Sequence, residues 1–517
     1  MTGMDLATMA GRFPDREAVV VDGRGVTYTE LDRAANRLAH HLRAAGLRPG
    51  DALAVCAGNG IGVFEAFWAA MRLGLYHVPV NRHLKAAEIR HILDDVATLG
   101  SVALITDNRT GAEADEAATG FPLAARIGIG DGPVAPGAPE QMPDDAWEGQ
   151  LLLYSSGTSG RPKGVVRDLP DLRPGQGPTL GSELAEGFGL RAGDRYLSPG
   201  PLHHSAPLAF ATACQRVGAT AVVMTRFDPA AALDLLESEA ITVSQWVPTM
   251  FVRLLGLPEA VRGAPRDLSP HRLAAHAAAP CPVAVKRAMI DWWGPILVEY
   301  YSGTEGGRTM ITSADWLAHP GSVGRHWRGG RVWILDHDGH EAPPGVDGRI
   351  YFEAPVTGRF RYLNQPEATA AAYAPGDTPG PPGRGDRFTL GDVGHVDEEG
   401  WLYVTDRDTD MVISGGVNIY PREVENVLLE HPGVADAAVV GLPDDDLGER
   451  VVAAVAPRQS DPPLAAGDLI AFCRDRIAAF KCPKAVVFVD ALPRSEAGKL
   501  DKRALKARLS AKEGEAV

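Results

Sequence analysis

The residues best suited to chemistry lie in one stretch, Leu151–Val166, reading LLLYSSGTSGRPKGVV. Its apolar start, Leu151-Leu152-Leu153-Tyr154, predicts a buried strand, and Val165-Val166 predicts another. Between them run Ser155, Ser156, Gly157, Thr158, Ser159, Gly160, Arg161, Pro162, Lys163 and Gly164. Glycines let a backbone approach an anion and aim N–H groups at it. The hydroxyls add donors, and Lys163 brings a point charge suited to a polyphosphate. The stretch is not a Walker A loop: Gly164 follows the lysine where Ser or Thr belongs, and a strand follows instead of a helix. The plain alternative is a polar surface turn, against which stand the residue order and the strand–loop–strand setting.

Three further groupings have apt chemistry. In Glu299-Tyr300-Tyr301-Ser302-Gly303-Thr304-Glu305-Gly306, Thr304 can bond a phosphate oxygen, Glu305 can hold Mg²⁺, and Tyr301 offers a flat ring for adenine. Asp392 can accept from both hydroxyls of a ribose cis-diol, while Arg407 adds a fixed cationic fork. In Pro493-Arg494-Ser495-Glu496-Ala497-Gly498-Lys499, glycine permits a turn and Lys499 delivers a movable ammonium. Each has a bland reading as a solvated surface group; their common order along one chain favours the functional one. His203 and His204 are adjacent, and successive residues do not converge on one metal without other ligands.

With these motifs the chain resembles the ANL superfamily: acyl-CoA synthetases, peptide-synthetase adenylation domains and luciferases. The resemblance runs from about residue 12 to about residue 508. It implies that a carboxylic acid attacks the α-phosphate of ATP to give acyl-AMP, and that a thiol then displaces AMP. Thr158, Lys163, Glu305 (also the Mg²⁺ ligand), His204 and Lys499 become the catalytic set. Ser155, Ser156, Gly157, Ser159, Gly160, Tyr301, Thr304, Asp392 and Arg407 become the ATP/AMP set. It further implies a thioesterification loop at Gly415 and Gly416, and a hinge at Thr409 about which a small domain rotates. Departures from the common motifs are Ser302 for Gly, Leu390 for Thr, Ala277-Ala278 for a Gly pair, and Thr409 for Asp or Lys. CoA is the expected acceptor, because no carrier domain trails the chain. The acid is expected to be long-chain, bile-acid-like or polycyclic terpenoid, as in bacterial bile-acid and fatty-acid CoA ligases and actinomycete diterpenoid-acid ligases. A same-fold enzyme performing one half-reaction, chiefly CoA thioesterification, and a non-catalytic nucleotide or acyl binder are the competing readings.

The elements that must position these residues follow from periodicity. Strands at Ala18–Asp22, Ala52–Cys56, Tyr76–Val80 and Val102–Thr106 alternate with helices starting at Thr29 (Asp32 as its capping partner), at Val63–Leu73 and at Ala86–Val96. Such βαβ rhythm predicts largely parallel sheet covered by helices. Residues 107–149 read as a loop region, and Asp168–Thr179 as an irregular, mobile flap. Strands recur near Tyr196–Leu197, Ala219–Met224 and Thr242–Trp246, a small antiparallel layer lies within 325–363, and Ala374–Gly385 reads as a flexible loop. The expected fold is α/β: a large N-terminal adenylate-forming domain over 1–408, then a small mobile α+β domain over 409–517.

Composition narrows the class. At 517 residues the chain exceeds one core. Sixty-six acids against 51 bases leave a net charge of −15, which argues against a broad nucleic-acid surface. Five cysteines without metal spacing suit a reducing compartment, and the N-terminus lacks a signal-peptide layout. The expectation is a cytoplasmic protein, without membrane insertion, acting on a small-molecule acid; a homodimer is compatible with it.

Overall fold

A computed structural model describes residues 4–107, 111–130, 134–155, 162–354, 359–374, 386–407, 410–414, 417–444, 447–458, 464–477, 479–495 and 498–514. Two sheets dominate it. One is wholly parallel, in the order Ala125–Ile129, Val102–Asp107, Ala52–Cys56, Tyr76–Pro79, Gln150–Leu151. The other has nine strands and is parallel across Glu17–Val21, Thr220–Val223, Arg195–Ser198, Val243–Trp246, Leu273–His276 and Leu297–Gly303. Antiparallel neighbours close both of its edges: Arg24–Thr27 at one, Gly306–Thr312 and Arg325–His326 at the other.

Helices between the two sheets join them into one core. Helix Ile61–Leu73 is apolar nearly all round (Val63, Phe64, Phe67, Trp68 and Met71 are all buried), which suits only a position covered on every side. Helix Tyr28–Ala44 presents one stripe, Leu31, Ala35, Leu38 and Leu42, and keeps its other face in solvent. Strands Val332–Leu335, Gly348–Glu353, Arg387–Val396 and Leu402–Arg407 form an antiparallel layer, of which only the first two lie within the expected 325–363.

The chain beyond residue 410 has its own core. Strands Val434–Asp444 and Gly448–Pro457 alternate strictly: Val439, Val451 and Val455 face helices Pro421–Glu430 and Ala466–Arg474. Val440, Val452 and Ala454 face Leu505 and Leu509 of helix Lys502–Gly514. Strand Ala485–Phe488 joins in parallel. The architecture is a large domain of mostly parallel sheets with a small α+β domain behind it. Among the described residues, no helix is long and apolar enough to cross a membrane.

Several local expectations change. Helix Tyr28–Ala44 begins one residue early, capped by Thr27 with Glu30 as box partner instead of Asp32. Tyr28 is drawn inward because its buried hydroxyl donates to the Ala219 carbonyl (2.6 Å). The apolar run Leu151–Tyr154 is two strands, not one. Gln150–Leu151 completes the parallel sheet, the chain crosses at buried Leu152, and Leu153–Ser155 pairs antiparallel with Lys163–Val166. Within 107–149, helix Gly111–Ala118 and strand Ala125–Ile129 replace part of the expected loop region. Helices Leu180–Gly187 and Lys502–Gly514 were not foreseen. Residues 168–179 carry no regular structure, as their prolines and glycines predict, while 375–385 lie outside the described residues.

Candidate active site

The stretch first singled out is held by a three-stranded antiparallel sheet, Leu153–Ser155, Lys163–Val166 and Arg361–Tyr362. Ser155 stands opposite Lys163, and the hydroxyl-rich residues fall in the sequence between these two positions. Ser156, Gly157, Thr158, Ser159 and Gly160 lie outside the described residues, as do Thr409, Gly415 and Gly416. Ser155 and Arg407 are positioned through their backbones.

Two residues that motif reading missed join Lys163 to Glu305. Tyr362 lies under the Lys163 ammonium, 5.1 Å from nitrogen to ring centroid, and donates its hydroxyl to Glu305 Oε1 at 2.7 Å. Arg167, one residue beyond the signature strand, donates to the backbone carbonyls of Thr304 (3.2 Å) and Glu305. Burial depresses the pKa of Arg167, and the Glu305 carboxylate opposes that shift. A cation on paired carbonyls fixes the Thr304–Glu305 turn against the signature sheet. The turn itself requires glycine: Gly307 has φ +63°, and a Cβ there would stand 2.5 Å from the Phe352 ring.

Strand Leu297–Gly303 delivers the rest of this motif at the C-terminal edge of the parallel sheet, where open α/β sheets bind ligands. The strand is anchored from behind by an ion pair. Lys286 Nζ donates to Glu299 Oε2 at 2.6 Å, both side chains are almost fully buried, and Lys286 also lies over the Trp316 ring. Tyr301 donates its hydroxyl to Asp392 Oδ2, uniting the residue expected at adenine with the one expected at ribose. Asp392 stands directly opposite Arg407 across the antiparallel ladder. Leu390, the departure from Thr, packs on Gly303: a Cβ on that glycine would meet Leu390 Cδ2 at 2.4 Å. Leucine therefore fills space against the motif strand where a hydroxyl is common. Ala278, in the turn where glycines are common, has φ +75°, a left-handed conformation that alanine adopts at a cost of about 1–2 kcal/mol.

His204 is the N-cap residue of helix Ser205–Arg216. The loop before it is pinned by Asn59, whose amide donates to the carbonyls of Gly200 (3.0 Å) and Met224 (2.7 Å) and accepts from Leu202 N–H (2.7 Å). Its neighbour His203 is buried with its ring 4.5 Å from that of His204. Burial first, then the neighbouring His204, His83 and Arg82, push its pKa down to about 3, so it is neutral at physiological pH. That suits a structural His203 beside His204.

Lys499 reaches this edge from the small domain. Ser495 and Lys499 exchange hydrogen bonds around a turn with Gly498 at φ +74°, and Arg494, bound to Asp436, donates to the Gly498 carbonyl. The turn rests on helix Pro248–Leu255: a Cβ on Gly498 would fall 2.2 Å from Thr249 Oγ1. Thr249 opens the helix that follows strand Val243–Trp246, so it too lies at the C-terminal edge of the parallel sheet. Arg422 makes a second tie between domains. Burial lowers its pKa, opposed by the carboxylates of Glu299, Glu425, Asp406 and Asp392, and its backbone N–H donates to Asp406 Oδ2. Neither Thr249 nor Arg422 carries a motif signal.

Residues 6–360 match the family described as AMP-binding enzyme, and residues 423–499 match the AMP-binding enzyme C-terminal domain. The chain is 33% identical over 513 residues to the fatty acid–[acyl-carrier-protein] ligase ScoC of Streptomyces coeruleorubidus, covering 96% of this chain and 94% of that protein. It is 32% identical over 496 residues to the long-chain-fatty-acid–CoA ligase FadD13 of Mycobacterium tuberculosis, covering 94% and 93%. The amide bond synthetase McbA from Marinactinospora thermotolerans superposes with a TM-score of 0.83 at 27% identity, over 98% and 99% of the two chains. With both family models matched along the chain and relatives above 30% identity over nearly its whole length, the chain belongs to the AMP-binding enzyme family, within the acyl-CoA synthetase branch of the ANL superfamily.

Proposed function

We propose that this chain is an AMP-forming acid–thiol ligase that makes an acyl-CoA in two steps. The acid's carboxylate attacks the α-phosphorus of ATP and the bond to pyrophosphate breaks, leaving acyl-AMP. The CoA thiolate then attacks the acyl carbonyl and AMP departs. The observation that supports this reading is that Lys163 and Glu305 meet on Tyr362, while the Lys499 turn seats on Thr249, which follows a strand of the same parallel sheet that leads to Glu305.

The first step gathers negative charge, and its demand is for fixed cations and donors. Lys163 and the hydroxyls of Ser155, Ser156, Thr158 and Ser159 hold phosphate oxygens; Tyr301, Asp392 and Arg407 hold adenosine; His204 lies beside the carboxylate under attack. Glu305, a hard oxygen donor oriented by Tyr362 through one oxygen, fits Mg²⁺, which supplies charge neutralisation on the phosphates when bound. Lys499 serves this step alone. The second step needs the small domain to turn about Thr409 and bring Gly415-Gly416 to the pantetheine. None of the five cysteines is in a disulfide, which is compatible with a reducing setting.

Seating of the Lys499 turn on Thr249 favours an enzyme that adenylates, over one that only transfers an acyl group made elsewhere. The test is pyrophosphate release from ATP with a panel of acids, followed by thioester formation from supplied acyl-AMP and CoA. Lys499→Ala is expected to lower the first by about 10²–10³-fold and spare the second. Equal damage to both would sink the assignment, and acyl-AMP that builds up in the presence of CoA would point to another acceptor.

A further inference from the structure

Arg308 lies just beyond the Thr304-Glu305 turn, on strand Gly306–Thr312, and no motif accounts for it. It stands directly opposite Ser302, so its side chain shares the sheet face of Ser302 and Tyr300, whereas Tyr301 faces the other way, toward Asp392. Tyr300 packs there against Phe188 and Phe210, with centroids 5.4 and 5.9 Å away. Phe210 belongs to helix Ser205–Arg216, the helix that His204 caps. The hairpin thus separates the face of Tyr301 and Asp392 from that of Tyr300 and Arg308. On the proposed reading of His204 beside the acid's carboxylate, the body of the acid belongs on the second face.

On that face two of the three Arg308 guanidinium nitrogens have no hydrogen-bond partner among the described residues. Its Nε and Nη1 are closed off from solvent and donate no hydrogen bond. Its charge acts on Tyr300 and Glu183, yet Glu183 gives its carboxylate to Arg328 (3.4 Å) instead. The guanidinium carbon lies 4.7 Å from the centre of the Trp327 ring, whose backbone N–H donates to the Arg308 carbonyl. Trp327 is itself wedged on helix Leu180–Gly187, since a Cβ on Gly187 would stand 2.2 Å from its ring. The fork therefore lies over an aromatic surface, with Nε and Nη1 meeting no acceptor among the described residues. Closing donors away from water without acceptors is costly, and guanidinium is the group that matches paired oxygens.

We propose that Arg308 determines acid specificity: the substrate carries a second oxygen group, a carboxylate by preference, that this guanidinium takes up while the first carboxylate is adenylated. This deepens the ligase reading and rests on it.

The experiment compares ATP-dependent pyrophosphate release with matched acids: dodecanoate, 12-hydroxydodecanoate and dodecanedioate, with hexanoate and adipate as a shorter set. Wild type is expected to favour the diacid over its monoacid by about 10–100-fold in kcat/KM, the reach of a charge-assisted contact, with the hydroxy acid between them. Arg308→Met should erase that preference through KM for the diacid, with KM for ATP unchanged, and Arg308→Lys should retain part of it. A wild type that prefers the monoacid, or a variant that slows all acids alike, would overturn the proposal. If no acid releases pyrophosphate, the ligase reading fails, and binding decides separately. A rise in Tm with dodecanedioate that Arg308→Met abolishes upholds the site, and equal shifts in both proteins refute it.

Discussion

Replacing Gly498 by alanine tests whether the Lys499 turn works where it is seen. Two costs arise. At φ +74° an alanine is strained by about 1–2 kcal/mol wherever the turn keeps its shape. The new Cβ would also stand 2.2 Å from Thr249 Oγ1, 3.1 Å from its Cγ2 and 3.2 Å from its Cβ, and only while the turn rests on the large domain. Overpacking of that kind costs about 1–3 kcal/mol. The sum, about 2–5 kcal/mol, predicts at least a ~30-fold fall in pyrophosphate release, since each 1.4 kcal/mol is tenfold. Thioester formation from supplied acyl-AMP should fall less, because the overlap with Thr249 is absent once the small domain has turned. Thr249→Ala in the same chain removes Oγ1 and Cγ2 and leaves a contact of 3.2 Å, so it should restore about tenfold in the first step. The two half-reactions are assayed separately on wild type, both single variants and the double. Equal losses in both steps, or no recovery with Thr249→Ala, would refute this placement of Lys499.

Tyr362→Phe keeps the ring beneath Lys163 and removes only the hydroxyl on Glu305, so adenylation should slow by about 10–100-fold with Tm nearly unchanged; a wild-type rate would mean that Glu305 needs no orienting. Lys286→Met strands the buried Glu299 carboxylate and should cost about 3–5 kcal/mol in denaturant unfolding. Lys286→Met with Glu299→Leu should recover most of that, and a double variant as unstable as the single would show that packing, not charge, is at stake. Burial pushes the His77 pKa down to about 3, so from pH 6.5 downward the unfolded state takes up a proton that the folded state refuses. Stability should therefore drop with acidification by up to about 1.4 kcal/mol per pH unit from this residue, and His77→Phe should flatten the slope of unfolding free energy against pH between 6 and 4.

Much of this protein is legible in its sequence because the signals are local. Apolar periodicity fixed helix Ala86–Val96 to the residue, and the βαβ alternation predicted the parallel sheets. The motif residues were found because their chemistry is written in short, ordered strings. Where two local signals competed, the tertiary fold chose. Thr27 with Glu30 and Thr29 with Asp32 both resemble a cap, and burial of Tyr28 under Ala219 selected the first. Leu151–Tyr154 has the pattern of one strand, yet its two ends pair in different sheets, a decision made by partners at Tyr76–His77 and Lys163–Val165. The supports of the site are the least legible part. Asn59, Arg167, Arg308, Tyr362 and Thr249 act through contacts set by strand register and domain seating, with partners up to about 250 residues away along the chain. A side chain's type is local information, whereas the oxygen, ring or carbonyl that it meets depends on every element folded between them.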